Sequence, residues 1–235
     1  MQGETMSNYT IISEPTTPFD IVYSSGPFDA AIAGLYEGGA EIWSAEKLAE
    51  LRVQLGASHP VSRRESLLAE NVNYMVDRDS DILVASGRYN PLLKDPKGAT
   101  NAYRDGNEGF NLNQQVIHEL RERATPDPDK ARQTGVFLLT RKDAKDRIPT
   151  RVLHEEGITR FLFGEQAEPY GEFLQANRIT EVPLYLVTIA YIQQKKTAFA
   201  RPLSVDRLLG LKSALDGYGK GLDHVDCRVG GVHYR

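Results

Sequence analysis

Apolar residues recur along this chain in two rhythms, one near 3.6 residues and one of two, and each predicts its own elements. Ser44 opens a helix with Leu48, Leu51 and Leu55 on one face and Gly56 as its terminator. Ser62-Arg63-Arg64-Glu65 has the form of a capping box, in which the serine hydroxyl and the glutamate each take up a backbone N–H left free at a helix start. Leu68, Val72, Met75 and Val76 follow at helical spacing, so a second helix is expected through Asp77. Asn111 with Gln114 opens a third, bearing Leu112, Val116, Ile117, Leu120 and Ala124 and ended by Pro126 and Pro128. Ser204 opens a fourth, with Val205, Leu208, Leu209 and Leu215 inward and Gly217 as its stop.

The period of two predicts strands. Val182 to Ile192 is apolar on both alternating sets, which is the pattern of a strand covered on each face, so it is expected at the centre of a sheet. Val136 to Leu139 and Ile158 to Phe163 read the same way, and Phe19 to Tyr23, Ile82 to Ala85 and Val225 to Tyr234 are weaker strands. Helices and strands are mixed without a βαβ rhythm or an internal repeat. The expected fold is α+β: a mixed, mostly antiparallel sheet with its central strand near 182–192, packed by about four helices.

Residues 87–111 (GRYNPLLKDPKGATNAYRDGNEGFN) show no sustained periodicity. They read either as a surface excursion tied down by Tyr89, Leu92, Leu93 and Tyr103 or as a binding loop. A single domain over 1–235 is expected, with 1–86 and 111–235 as its subdivision around this polar stretch; residues 124–133 are a competing boundary.

Composition narrows the class. With 235 residues, 40% hydrophobic and 26% charged, the chain can build a sizeable core. Cys227 is the only cysteine, so neither an intramolecular disulfide nor a cysteine-rich zinc site can form within one chain. The amino terminus lacks the basic-then-apolar pattern of a signal peptide, and no apolar run approaches the ~20 residues that span a bilayer. A soluble, cytoplasmic protein without membrane contact is expected.

Charge is unevenly placed. Up to Glu46 there are seven acids and no lysine or arginine, whereas from Lys195 onward eight bases face four acids. Such polarity steers association even when the net charge is small. Two clusters could contact a phosphate backbone: Lys195, Lys196, Arg201 and Arg207 around Phe199, and Arg141, Lys142, Lys145, Arg147 and Arg151. The pI of about 5.8 argues against a dedicated nucleic-acid binder. Gly217 to Gly221 brings Lys220 into a glycine-rich turn, but this is neither a P-loop nor a dinucleotide fingerprint. It reads as a helix C-cap or as backbone that approaches a phosphate.

The tail offers the chemistry most like a site. If Val225 to Tyr234 is a strand extending back to Asp223, His224 and Asp226 share one face, as two metal ligands or as a base with its orienting carboxylate, and His233 is a third candidate ligand. His118 with Glu122 reads as a helix-surface pair, and His154-Glu155-Glu156 as a charged turn. No serine elbow or cysteine–histidine signature is present, and no motif indicates a cofactor. The reading preferred at this level is a non-catalytic binding or assembly subunit, with a protein partner or self-association and with nucleic acid as a further candidate. The alternative is a metal-dependent hydrolase of a phosphate ester.

Overall fold

The structure, a computed structural model, describes residues 9–15, 19–76, 81–140, 144–208, 213–217, 221–225 and 227–234. The chain begins with β1 (Thr10–Pro15), β2 (Phe19–Ser25), α1 (Phe28–Glu37), β3 (Glu41–Ile42), α2 (Ala45–Leu55) and α3 (Pro60–Arg63). Next come β4 (Ser66–Tyr74), β5 (Ile82–Ala85), α4 (Pro91–Lys94), α5 (Pro96–Arg104), β6 (Phe110–Asn111), α6 (Gln114–Arg123) and α7 (Pro128–Thr134). The remainder is β7 (Val136–Leu139), β8 (Arg147–Pro149), α8 (Gly157–Phe163), α9 (Ala167–Ala176), β9 (Glu181–Tyr185), α10 (Ile189–Gln194), β10 (Phe199–Val205), β11 (Leu215–Asp216) and β12 (Arg228–Tyr234).

These strands form a mixed sheet in the order β1-β2-β12-β4-β10-β11-β9-β8, with β5 and then β7 added alongside β4. Among the described residues, the β12–β4 and β11–β9 strand pairs are parallel and the other strand pairs are antiparallel. The α+β expectation holds. One apolar layer packs α2, α8 and α9 on one face of the sheet, and a second packs α1, α4, α5 and α6 on the other. Because the strand period is two, β2 sends Ile21 and Tyr23 to the first layer and Val22 to the second. Among the described residues, no helix is long and apolar enough to cross a membrane.

The central strand is β4, not the stretch near 182–192. Every residue of β4 is buried, and it pairs with β12, β10 and β5. The helical reading of 62–77 fails because Ser66–Tyr74 is this strand, which polar residues on both faces disguise in the sequence. Each polar side chain has a fixed partner: Glu70 accepts from Ala45 N–H at 3.0 Å, Asn71 donates to Asn73 at 2.9 Å, and Asn73 donates to Leu83 C=O at 3.1 Å. Glu65 does not cap a helix; it accepts from the Ser204 hydroxyl at 3.2 Å.

Residues 182–192 split in two. Strand β9 ends at Tyr185, and Thr188 accepts from Tyr191 N–H at 3.3 Å to start α10. Ser204 and Val205 lie in β10, paired with Leu67 and Ser66, so no helix opens there; residues 209–212 of the expected helix lie outside the described set. Residues 158–163 form a helix rather than a strand, with Thr159 donating back to Glu156 C=O at 3.0 Å and Gly164 at φ +51 ending it. The 87–111 stretch carries two short helices, each begun by a capping side chain followed by proline: Asn90-Pro91 and Asp95-Pro96. Thr100 accepts from Asp29 N–H at 3.0 Å and anchors it to α1. The helices at 45–55 and 114–123 and the strands at 19–25, 82–85 and 136–139 appear where the periodicity places them.

Candidate functional site

The short helix α10 turns Tyr191 back over the beginning of β10. The register Phe199↔Tyr74 and Arg201↔Val72 puts Phe199 and Arg201 on the same sheet face as Tyr74. The Tyr74 and Phe199 rings stack at 5.0 Å, and Tyr191 meets Phe199 edge-on at 6.2 Å. The Arg201 guanidinium lies 5.4 Å from the Tyr191 ring and 5.5 Å from the Phe199 ring, and it donates to the Tyr191 hydroxyl at 3.2 Å. Lys195 stands 4.5 Å over the same tyrosine ring and pairs with Glu108 at 2.7 Å.

This cluster brings two cations onto one aromatic group, within cation–π range of its rings. Arg201 is 5% exposed, so its field acts through protein more than through water. Glu108 is held below its ordinary carboxylate value first by the hydrogen bond from Lys195, with Arg201 adding to the effect. Tyr74 fixes the frame: its hydroxyl donates to Gly217 C=O at 2.8 Å and accepts from Val187 N–H at 3.3 Å, tying β4 to the ends of β9 and β11. Burial pushes its hydroxyl pKa up, so it stays a neutral donor. A side chain at Gly217 would meet Val72 at 2.8 Å, so the chain passes over β4 only as glycine. Tyr185, at the end of β9 and paired with Asp216, is 46% exposed, and its backbone carbonyl accepts from Gly217 N–H at 2.8 Å.

Of the predicted phosphate contacts, Lys195 and Arg201 converge here and the others do not. Lys196 lines a separate groove of about 470 Å³ between α6 and β10, floored by Met75, Leu112 and Ile117. Arg207 is exposed beyond the opposite end of β10, about 20 Å along the strand. Arg147 is paired with Glu181 at 3.0 Å on β8 and β9. Arg141, Lys142 and Lys220 lie outside the described residues. Among the described residues, the basic side chains therefore do not form a continuous stripe.

The tail histidines are apart. Strand β12 begins at Arg228, so His224 sits in a turn before it and not on a strand; Asp226, its expected partner, lies outside the described residues. His233 is near the other end of β12, against Gly39. Among the described residues, no group of three His, Cys, Asp or Glu side chains is placed to hold a metal ion. His118 pairs with Glu122 at 3.2 Å on the surface of α6, and His154 with Glu155 at 3.6 Å. Tyr191 was absent from the predicted site because 182–192 reads as one strand; the spacing Tyr191 to Lys195, one helical turn, is the signal that points to it.

No protein-family model matches the chain, and no curated protein matches it. It is similar to a solved structure described as "Accommodation of massive sequence variation in Nanoarchaeota by the C-type lectin fold", at 14% identity and a TM-score of 0.64. The likeness covers 92% of this chain and 97% of that one. At that identity it speaks to fold alone: the α+β architecture is similar to a C-type lectin fold.

Proposed function

We propose that this chain is a non-catalytic binding or assembly subunit that docks an acidic partner protein on the surface made by α10, the start of β10 and the Glu108 loop. The observation that carries this is that Tyr191 and Lys195, both partly exposed, are held in place over the buried Arg201 and Phe199. Aromatic residues and arginine concentrate at the energetic centres of protein interfaces, and a rigid sheet beneath them lowers the ordering cost of binding. The similar structure is described as a fold that accommodates massive sequence variation, and a backbone tolerant of varied side chains suits a binding scaffold. Nucleic acid is the less favoured partner, since among the described residues Lys196 lines a separate groove and Arg147 is paired with Glu181, which leaves few cations beside the cluster to follow a phosphate backbone.

Fluorescence polarisation distinguishes the two. A labelled glutamate- and tyrosine-rich peptide is expected to bind saturably at 50 mM salt and about tenfold more weakly at 300 mM. Tighter binding of a dT20 oligonucleotide than of the peptide would transfer the proposal to nucleic acid. Absence of binding by either would remove it.

A further inference from the structure

A cavity of about 170 Å³ opens on the opposite side of β4 from α1, between α2, α7 and α8. Its floor is Glu70, a carboxyl only 6% exposed at a position where the strand pattern calls for an apolar side chain. Ala45 N–H, at the start of α2, donates to Oε2 at 3.0 Å, and the backbone N–H of Glu70 itself donates as well. A carboxylate can accept about four hydrogen bonds, so acceptor capacity remains on the cavity side. Ser44, Ser86 and Phe161 line the same space, with the Ser44 hydroxyl also accepting from Lys47 N–H at 3.2 Å as the cap of α2.

The mouth is framed by an ion pair between Arg132 and Glu46 at 2.9 Å. Arg132 also donates to Phe161 C=O at 3.2 Å, and Glu46 accepts from Glu165 N–H at 3.3 Å. Gly164 at φ +51 leaves room for that pair, since a Cβ there would strike both side chains. Of the other charges on the surrounding helices, Asp129 pairs with Arg160 at 2.6 Å and Lys47 with Glu50 at 2.9 Å, Arg52 is spent on backbone carbonyls and the Tyr170 hydroxyl, and Lys130 is exposed to solvent. Two carboxyls against one guanidinium leave one uncompensated negative charge when Glu70 is ionised.

We propose that this cavity binds the protonated head of a primary amine, with Glu70 as its counter-ion. An ammonium is a compact charge with three donors, which matches a buried carboxylate in a small cavity lined by serine and phenylalanine. The volume equals roughly five or six waters, enough for an alkylammonium head and too small for a drug-sized ligand. Two sources share this chemistry, a free small amine and a lysine side chain presented by a partner. The site is separate from the Tyr191 cluster, and neither depends on the other.

Burial pushes the Glu70 carboxyl up to about 7, with the Ala45 N–H opposing, Glu46 adding to the rise and Arg132 reducing it. An ammonium must therefore expel the proton below neutrality, and its affinity is expected to fall about tenfold from pH 8 to pH 6.

The test is an NMR titration of the intact chain, following the Ala45 and Glu70 amides, with methylammonium chloride, a lysine-containing peptide and potassium chloride as control. Wild type is expected to show saturable shifts with an amine at pH 8, weaker at pH 6, and none with potassium. Glu70→Gln, verified as folded by circular dichroism, is expected to show none with any probe. Preference for the peptide assigns the site to a partner's lysine, and preference for methylammonium to a free amine. No saturable shift at pH 8, equal shifts in Glu70→Gln, or an affinity unchanged between pH 6 and pH 8 would each overturn the proposal.

Discussion

Replacing Glu70 by glutamine should change how stability depends on pH more than it changes stability itself. The side chain keeps its shape, and its amide oxygen can still accept from Ala45 N–H, but it can no longer ionise. In the folded protein the carboxyl is raised from 4.5 to about 7 by burial, partly opposed by its backbone hydrogen bonds. The folded state therefore holds this proton more tightly than the unfolded state does. Its contribution is fully present below the unfolded value and is lost as pH rises through the folded one. A rise of that size, at about 1.4 kcal/mol per unit, corresponds to about 3 kcal/mol, most of it lost between pH 5 and pH 8. Urea unfolding of both proteins at pH 5, 6, 7 and 8 reads this directly, because other groups titrate alike and cancel in the difference. Relative to wild type, the variant should gain about 2.5 kcal/mol across that range with an unchanged m-value. A difference that stays flat, or that falls with pH, would refute the placement of Glu70 as a desolvated acid.

Two further substitutions test the packing that carries the fold. Arg52 is fully buried and donates to Val61 C=O at 3.3 Å, Tyr170 hydroxyl at 2.9 Å, Arg64 C=O at 3.2 Å and Asp206 C=O at 2.9 Å, joining α2 to α9 and to the end of β10. Arg52→Met strands those carbonyls and should cost about 4 kcal/mol, lowering Tm by roughly 10 °C in a thermal melt. Arg52→Lys should recover only part of it, since an ammonium cannot reproduce the fork. Gly230→Ala would place a Cβ 2.2 Å from the Trp43 ring, which packs edge-on against Tyr23 at 5.7 Å and donates to Ser66 at 2.9 Å. It should cost about 3 kcal/mol, and as Trp43 is the sole tryptophan its emission should shift to the red.

Much of the architecture was legible in the chain where one local signal had no competitor. Ser44 with its leucine stripe and Gly56 gave α2, and the prolines after Ala124 placed the end of α6. Reading failed where tertiary partners satisfy groups that look local. Glu70, Asn71 and Asn73 disguise β4 because their partners, Ala45 N–H, a neighbouring asparagine and Leu83 C=O, come from other elements or from the strand's own second neighbour. The run Val182 to Ile192 hid a boundary, since Thr188 acts as a cap only once the chain turns at Val187, whose N–H is held by Tyr74. The site was partly visible for the same reason. Lys195, Arg201 and Phe199 are close in sequence and in space, whereas Tyr191 joins them only through the helix, and Glu108 only through the pairing of β6 with β10.

The claim that the Tyr191 cluster is the docking surface is tested most directly by comparing variants in the peptide polarisation assay. Tyr191→Ala and Lys195→Ser remove partly exposed members of the cluster, and Arg207→Ser removes an exposed cation at the far end of β10. The account predicts that each of the first two weakens binding about tenfold while the third changes it less than about twofold. Equal losses in all three, or full affinity in Tyr191→Ala and Lys195→Ser, would contradict it.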